Sequence, residues 1–503
     1  MPFFKKSSSA DAEPSDLDLE VADAFVALGR RDKDAPVPAG LAKETLISMM
    51  FRHADMLSGT MQSAESALLY EIASHLAGVG NESLTKGKSS EDLRQTGAVL
   101  LTAGRLQLAL KVYEQLAQQD PGSHEDHTRL AALYRDANGD EMARDFLQNF
   151  FAKNPIEREP AANDKTSKGS ILCMTGYDKS TYKIGKRGDG SFKCYRSGGH
   201  FMLRYLVDMH DYDVTNYVVA RDNLATTQPT GTFDLLLNTI ADPDTEHASL
   251  LSLEKYVADH PPASLINHPT HVMKTTRDGN YARLNAIDGI RFPRTIRFAA
   301  AGSSPENLAS AIEAEGFNYP LIIRRTGTHT AVSTELVDHR QALESYIKSS
   351  EGDELYVIEF IDSSSDEGHF TKMRLFAIDG QLYPVVHHID EVWNVHGGNR
   401  KTFMASHEWM LEKEQQFMRD PKSVIGNEAY ALLQTLPDVI GLDFFGFDFT
   451  TLPDGTILIF ELNPAMRHSF DHAENFAYLE PHMQAISDAF AAMVDKKIQE
   501  ARS

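Results

Sequence analysis

Apolar positions change their spacing along the chain, and the changes divide it. Over 41–151 they recur at three- and four-residue intervals among Ala, Leu, Glu and Gln, with Pro absent except at Pro121, which predicts an all-helical block. The stretch 156–169, IEREPAANDKTSKG, is polar and without period, and reads as a linker. After it comes a short apolar run at 170–175, SILCMT, then strands near 212–220 and 233–240 with a helical stretch near 200–209 between them. Strands alternating with helices predict an α/β unit. The leading segment, 1–40, carries Ser, Lys, acidic residues and the Pro-containing DKDAPVPAG; it reads as a mobile leader with a short helix near 19–28.

Inside the helical block lies a faint repeat: Ala109 recurs as Ala143, and Pro121 as Pro155, at a period of 34 residues. That period, with Gly97, Gly104, Ala109, Tyr113 and Pro121 at small and large positions, resembles the tetratricopeptide repeat. The resemblance implies paired helices that present a concave surface to a protein or peptide partner; generic packed helix pairs are the alternative.

The richest chemistry lies in 441–470, GLDFFGFDFTTLPDGTILIFELNPAMRHSF. It reads as a β-hairpin. A two-residue turn at Asp454-Gly455 sets Asp448 opposite Glu461. Phe445, Phe447 and Phe449 then share an apolar face with Leu458, Phe460 and Leu462, while Asp448, Glu461 and Asn463 occupy the other. Two facing carboxylates repel unless something compensates, and a divalent cation with hard oxygen ligands would do so. Acidic residues merely solvated on an exposed hairpin are the alternative.

Asp448, Glu461 and Asn463, followed by Pro464, resemble the metal-binding signature that closes the fold of the ATP-grasp superfamily, which includes D-alanine:D-alanine ligase, glutathione synthetase and the ribosomal-protein glutamate ligases. The resemblance spans about 170–497. It implies a multidomain chain with an all-α repeat block at 41–155 and an α/β ATP-grasp part in three lobes, 170–265, 266–355 and 356–500. It further implies that Asp448, Glu461 and Asn463 hold magnesium, with manganese able to substitute, on the phosphates of ATP. Arg277 and Arg324 stand where the family carries phosphate-contacting lysines. Arginine departs from that pattern, but binds phosphate bidentately and keeps its charge. Glu359 and Ile361 match the adenine hinge, with Asp366 or Glu367 next to the ribose. Lys372 and Arg374 share one face of the following strand, in reach of the phosphates or an acyl phosphate, or else form a solvated basic stripe. The implied reaction activates a small-molecule or peptide carboxylate as an acyl phosphate and joins it to an amine, releasing ADP and phosphate. A kinase of the same fold and a helical scaffold with a nucleotide-binding module are the rivals. The strand end 237–244, LNTIADPD, the turn 195–200, YRSGGH, and the loop residues Trp393, His396, Arg467 and His468 are candidates for contacting substrate.

Composition narrows the classes. A chain of 503 residues exceeds one core, and 42% hydrophobic with 24% charged residues is globular. A formal net charge of −23 opposes nucleic acid as a partner. The two cysteines, Cys173 and Cys194, make neither a disulfide scaffold nor a zinc site, so a reducing cytoplasm is expected. No run of apolar residues is long enough to predict a membrane span.

Overall fold

The computed structural model describes residues 63–77, 84–162, 166–328, 333–350 and 352–503, with a few positions between 47 and 55. The leader and its expected helix lie outside them. Two compact units emerge among the described residues, one of those up to Leu147 with 181–197, the other of those in 148–180 and 198–503.

The larger unit carries three sheets. β1 (Ile156–Glu159) and β2 (Ser170–Gly176) are followed in the chain by a hairpin, β3 (Thr181–Lys186) and β4 (Phe192–Ser197), which belongs to the other unit. With β5 (Asp213–Val219), β6 (Leu235–Asn238) and β7 (Leu265–Ile266) the first sheet is ordered β1-β5-β2-β6-β7, parallel except for β1. Its central strands are apolar on both faces, as a sheet covered on both sides requires. The expected linker is therefore wrong at its start: Ile156 pairs with Tyr217 and Glu159 with Val214. An edge strand needs only one ladder and can stay polar, so IERE lacks the alternation that marks a strand. The helix expected near 200–209 is also absent; that segment holds two single 3₁₀ turns, Leu203–Tyr205 and Met209–Asp211.

β8 (Ile290–Arg291) precedes the second sheet, β9 (Thr295–Ala299), β10 (Leu321–Arg325), β11 (Thr334–Val337) and β12 (Glu354–Glu359), antiparallel in the order β11-β10-β12-β9. Leu321, Ile323, Leu355 and Val357 join its separate core, covered by helices Pro305–Ala314 and Arg340–Ser349. The third sheet, β14-β13-β15-β16-β8, is built of β13 (Phe370–Ile378), β14 (Gln381–Asp390), β15 (Phe444–Thr451) and β16 (Ile457–Asn463). Phe445, Phe447 and Phe449 are fully buried in a core shared with the first sheet, and the long helix Glu480–Arg502 adds Ile486, Phe490 and Val494 to it.

In the smaller unit, helices Ser90–Thr102, Leu106–Gln119 and His124–Asn138 pack around Ala109, Val112, Tyr113, Leu116 and Leu130. The first starts on a capping box, Ser89 with Asp92. Gly97 permits the crossing of its partner, because a Cβ there would stand 2.9 Å from the Tyr113 ring. Among the described residues no helix is long and apolar enough to cross a membrane.

Candidate functional site

The site begins with the β15–β16 hairpin. Asp448 does face Glu461, and Gly446 faces Asn463, but the route to that register differs from the two-residue turn. Leu452 N–H donates to Thr456 O at 2.8 Å and Gly455 N–H to Leu452 O at 2.9 Å, so Pro453, Asp454 and Gly455 form a three-residue loop, with Gly455 at φ +87°. That loop shifts the ladder by one, giving Phe449 opposite Ile459. A bulge at Phe460 restores it before Glu461. One consequence corrects the expected core face: Ile459 and Leu462 join the core, whereas Leu458 and Phe460 turn to the same side as Asp448 and Glu461 and line a cavity there.

Cations converge on the two carboxylates from separate elements. Arg374 lies opposite Asp448 in the β13–β15 ladder and grips it with two hydrogen bonds, Nε to Oδ1 at 2.6 Å and Nη2 to Oδ2 at 2.9 Å. Lys372 Nζ stands 3.6 Å from Asp448 Oδ2. Asp448 is buried; burial favours its neutral form, but Arg374 and Lys372 outweigh this and hold its pKa below the ordinary carboxylate value. Arg277, the first residue of helix Arg277–Leu284, donates to Phe460 O at 3.0 Å and pairs with Glu461 at 2.9 Å. Arg324 on β10 is 8% exposed; burial and the neighbouring Arg277 lower its pKa to about 10. Its guanidinium donates to Thr328 O and Oγ1. The carboxylate pair that sequence alone left uncompensated is thus flanked by arginine and lysine.

Asn463 donates from Nδ2 to Glu461 Oε1 at 2.9 Å, while its Oδ1 is buried without a hydrogen-bond partner among the described residues. No three or more His, Cys, Asp or Glu side chains cluster as metal ligands among the described residues. The available set is therefore two carboxylates and one amide oxygen, which fits a hard cation that keeps water and phosphate in its other positions. Each Asp448 oxygen retains a second lone pair beside its bond to Arg374.

The cavity lies between the second and third sheets. Its apolar walls come from Ile322, Ile358, Leu458 and Phe460, and Trp393 lines it as well. Glu359 and Ile361, at and just after the end of β12, also line it. The Glu359 carboxylate is already engaged, by Arg291 Nη2 at 2.7 Å and the Arg294 N–H at 3.2 Å. Asp366 and Glu367 both sit in an exposed turn and neither lines the cavity, whereas Ser363 does. The turn is long enough to carry its acids past the wall, which spacing alone cannot show.

A smaller cavity adjoins the first through Arg277, Arg324 and Glu461, and adds Asn463, Asp242, Asp244 and Tyr356. The strand end 237–244 thus reaches the site, while of the 195–200 turn His200 instead accepts the Gly176 N–H at 2.9 Å. Sequence reasoning missed Arg297, which binds Asp244 at 2.7 Å, Tyr356 Oη at 2.6 Å and Glu354 at 2.6 Å. Burial and Asp242 raise the Asp244 pKa. Of the other loop candidates, His396 caps helix Gly397–Arg400, Arg467 pairs with Asp471, and His468 is buried beside Ser487.

No protein-family model and no curated protein sequence matches the chain. Solved structures similar to it include the RimK domain protein ATP-grasp of Sphaerobacter thermophilus, 12% identical with a TM-score of 0.36 over 65% of this chain and 99% of that one. The D-alanine-D-alanine ligase of Coxiella burnetii is 10% identical, with a TM-score of 0.37 over 66% of this chain and 97% of that one. The carboxyaminoimidazole ribonucleotide synthase of Aspergillus clavatus, complexed with ATP, is 12% identical, with a TM-score of 0.36 over 64% and 77%.

Proposed function

We propose that the chain is an ATP-grasp ligase, which activates a carboxylate with ATP and joins it to an amine. The observation that carries the reading is the cavity itself, where the cation-flanked pair Asp448 and Glu461 closes one end, with Asn463 just beyond in the adjoining smaller cavity, and the apolar Leu458, Phe460, Ile322 and Ile358 walls form the other. A nucleotide has those two ends, a flat base and a polyanionic tail.

In this reading the apolar walls receive the base, and the backbone at Glu359 and Ile361 offers it hydrogen bonds. Asp448, Glu461 and Asn463 would hold magnesium, which when bound would neutralise phosphate charge. Arg277 and Arg324 bind the phosphates from the side of the second sheet, with Lys372 facing them from the third and Arg374 holding Asp448 in place. The substrate carboxylate attacks the γ-phosphorus, the bond to ADP breaks, and the resulting acyl phosphate is opened by an amine with loss of phosphate. Positioning and charge stabilisation supply the acceleration, so Cys173 and Cys194 need no part. The second cavity, with Asp242, Asp244 and Tyr356, borders the reacting end and suits the acceptor.

The test incubates the purified protein with Mg-ATP and a cell extract and follows products by mass spectrometry. A joined product with stoichiometric ADP and phosphate is expected. A product that retains the phosphate would replace the ligase with a kinase, and failure to bind Mg-ATP would overturn both.

A further inference from the structure

The β3–β4 hairpin is basic in an acidic chain. Lys183, Lys186, Lys193, Arg187 and Arg196 stand against one acid, Asp189, while the whole chain carries −23. Asp189 is turned back onto Ser191, accepting from its N–H at 2.9 Å and its hydroxyl at 2.6 Å.

The ladder decides which groups meet solvent. Lys183 lies opposite Tyr195 and Gly185 opposite Lys193, so Lys183, Tyr195 and Lys193 share one face, and Ile184, Phe192 and Cys194 share the other. The second face is covered within its unit: Ile184 packs on the helical core, Cys194 Sγ is 3.9 Å from Thr128 O, and the Phe192 ring lies against Gly104. The first face is open from its middle to the turn, with Lys183 half-buried and Thr181 buried at its other end. Lys193 is exposed and Tyr195 is 42% exposed. Gly185 gives the ring its place, since a Cβ there would stand 2.6 Å from it. Among the described residues Lys183, Lys186 and Lys193 have no carboxylate partner. The sheet has two strands only, so each strand also keeps an outer edge without a ladder partner among them.

We propose that this face binds an acidic, extended segment of a partner polypeptide, laid along the hairpin with its carboxylates on Lys183, Lys193 and, beyond the ladder, the exposed Arg187 of the turn. Unpaired strand edges accept extended chains through main-chain hydrogen bonds, and alternating side chains then supply selectivity. The size of the patch favours a peptide over other polyanions. A six-residue ladder is about 20 Å long, and charges act over about 8 Å at physiological ionic strength. A short acidic segment stays within that range, whereas a nucleic acid or an anionic membrane spreads its charge over the acidic remainder as well.

The experiment measures fluorescence anisotropy of a labelled Glu-Val alternating decapeptide titrated with the full-length protein. Binding is expected to weaken about tenfold in the double variant Lys183→Glu, Lys193→Glu, and to weaken with added salt. The neutral double variant Lys183→Gln, Lys193→Gln should lose a smaller part, and Lys111→Glu, exposed on helix Leu106–Gln119, should lose none. Unchanged melting temperatures show that the hairpin variants stay folded. Absence of peptide binding, an equal loss in Lys111→Glu, or tighter binding of oligothymidylate or phosphatidylserine vesicles overturns the proposal.

Discussion

Glu461 sits between two opposing influences, the facing Asp448 carboxylate and the Arg277 guanidinium at 2.9 Å. Sequence alone shows only the first, so removing the charge looks stabilising. With Arg277 in place the sign changes, and Glu461→Gln is expected to cost a partly exposed ion pair, about 0.5 kcal/mol. Its effect on the proposed reaction is larger: losing one electrostatic contact to the transferred group lowers turnover about a hundredfold. ATP turnover beside the metal-free melting temperature checks both, and unchanged turnover removes Glu461 from the site. Arg374→Lys asks a different question, because lysine keeps the charge and loses the two-pronged grip on buried Asp448. A destabilisation of about 3 kcal/mol is expected; a variant as stable as the parent would show that Lys372 suffices. The carboxylates were legible because strand alternation places them. Their cationic partners were legible only as candidates, since Arg277, Arg324 and Arg374 come from elements far apart in sequence that tertiary packing alone brings together.

At the scale of the element, two local errors cancel in the β15–β16 hairpin. The loop is longer by one residue than Asp-Gly suggests, and the bulge at Phe460 returns the register, so the pairing of Asp448 with Glu461 was correct while the face of Leu458 and Phe460 was not. Alternation is blind to a bulge, which moves every residue between it and the turn to the opposite side. The loop depends on Gly455 at φ +87°, where an added Cβ meets nothing within 4 Å. Gly455→Ala therefore costs backbone strain alone, about 1 kcal/mol, seen as a lower melting temperature with unchanged nucleotide affinity. β14 offers a pH signature. Burial lowers the His387 pKa to about 4, below an unfolded value of about 6.5. Between those values the unfolded chain takes up a proton that the folded chain refuses. The stabilisation is full above pH 6.5 and falls as acid approaches pH 4, by up to about 1.4 kcal/mol per unit. The slope of melting temperature against pH in that window should be shallower in His387→Gln; an identical slope would refute the contribution.

At the scale of the whole molecule, ligand linkage gives the broadest check on the proposed function. Mg-ATP at a hundredfold excess over its dissociation constant should stabilise the folded chain by about 2.7 kcal/mol, and no thermal shift at saturation would sink the nucleotide site. The division into units sets the second check, and it was only half legible. The helical block and the α/β part follow from the change of hydrophobic period, but the chain does not pass from one to the other once. Residues 148–159 join the larger unit, with β1 laddered on β5, and residues 181–197 return to the helical one. A cut near residue 165, natural from the polar stretch, strips β1 from its sheet and leaves Ile184 and Phe192 without the helices that cover them. A better fragment starts at Gln148 and replaces 181–197 by a short Gly-Ser turn. Thr181 and Ser197 are ladder partners, so their backbones are about 5 Å apart and a few residues close the gap. This fragment is expected to be monomeric, to melt cooperatively and to bind Mg-ATP with the affinity of the full chain, whereas the fragment from residue 165 should aggregate. Calorimetry and ATP titration decide it: a soluble, cooperative fragment from Gln148 that binds no nucleotide would place part of the nucleotide site in the helical unit.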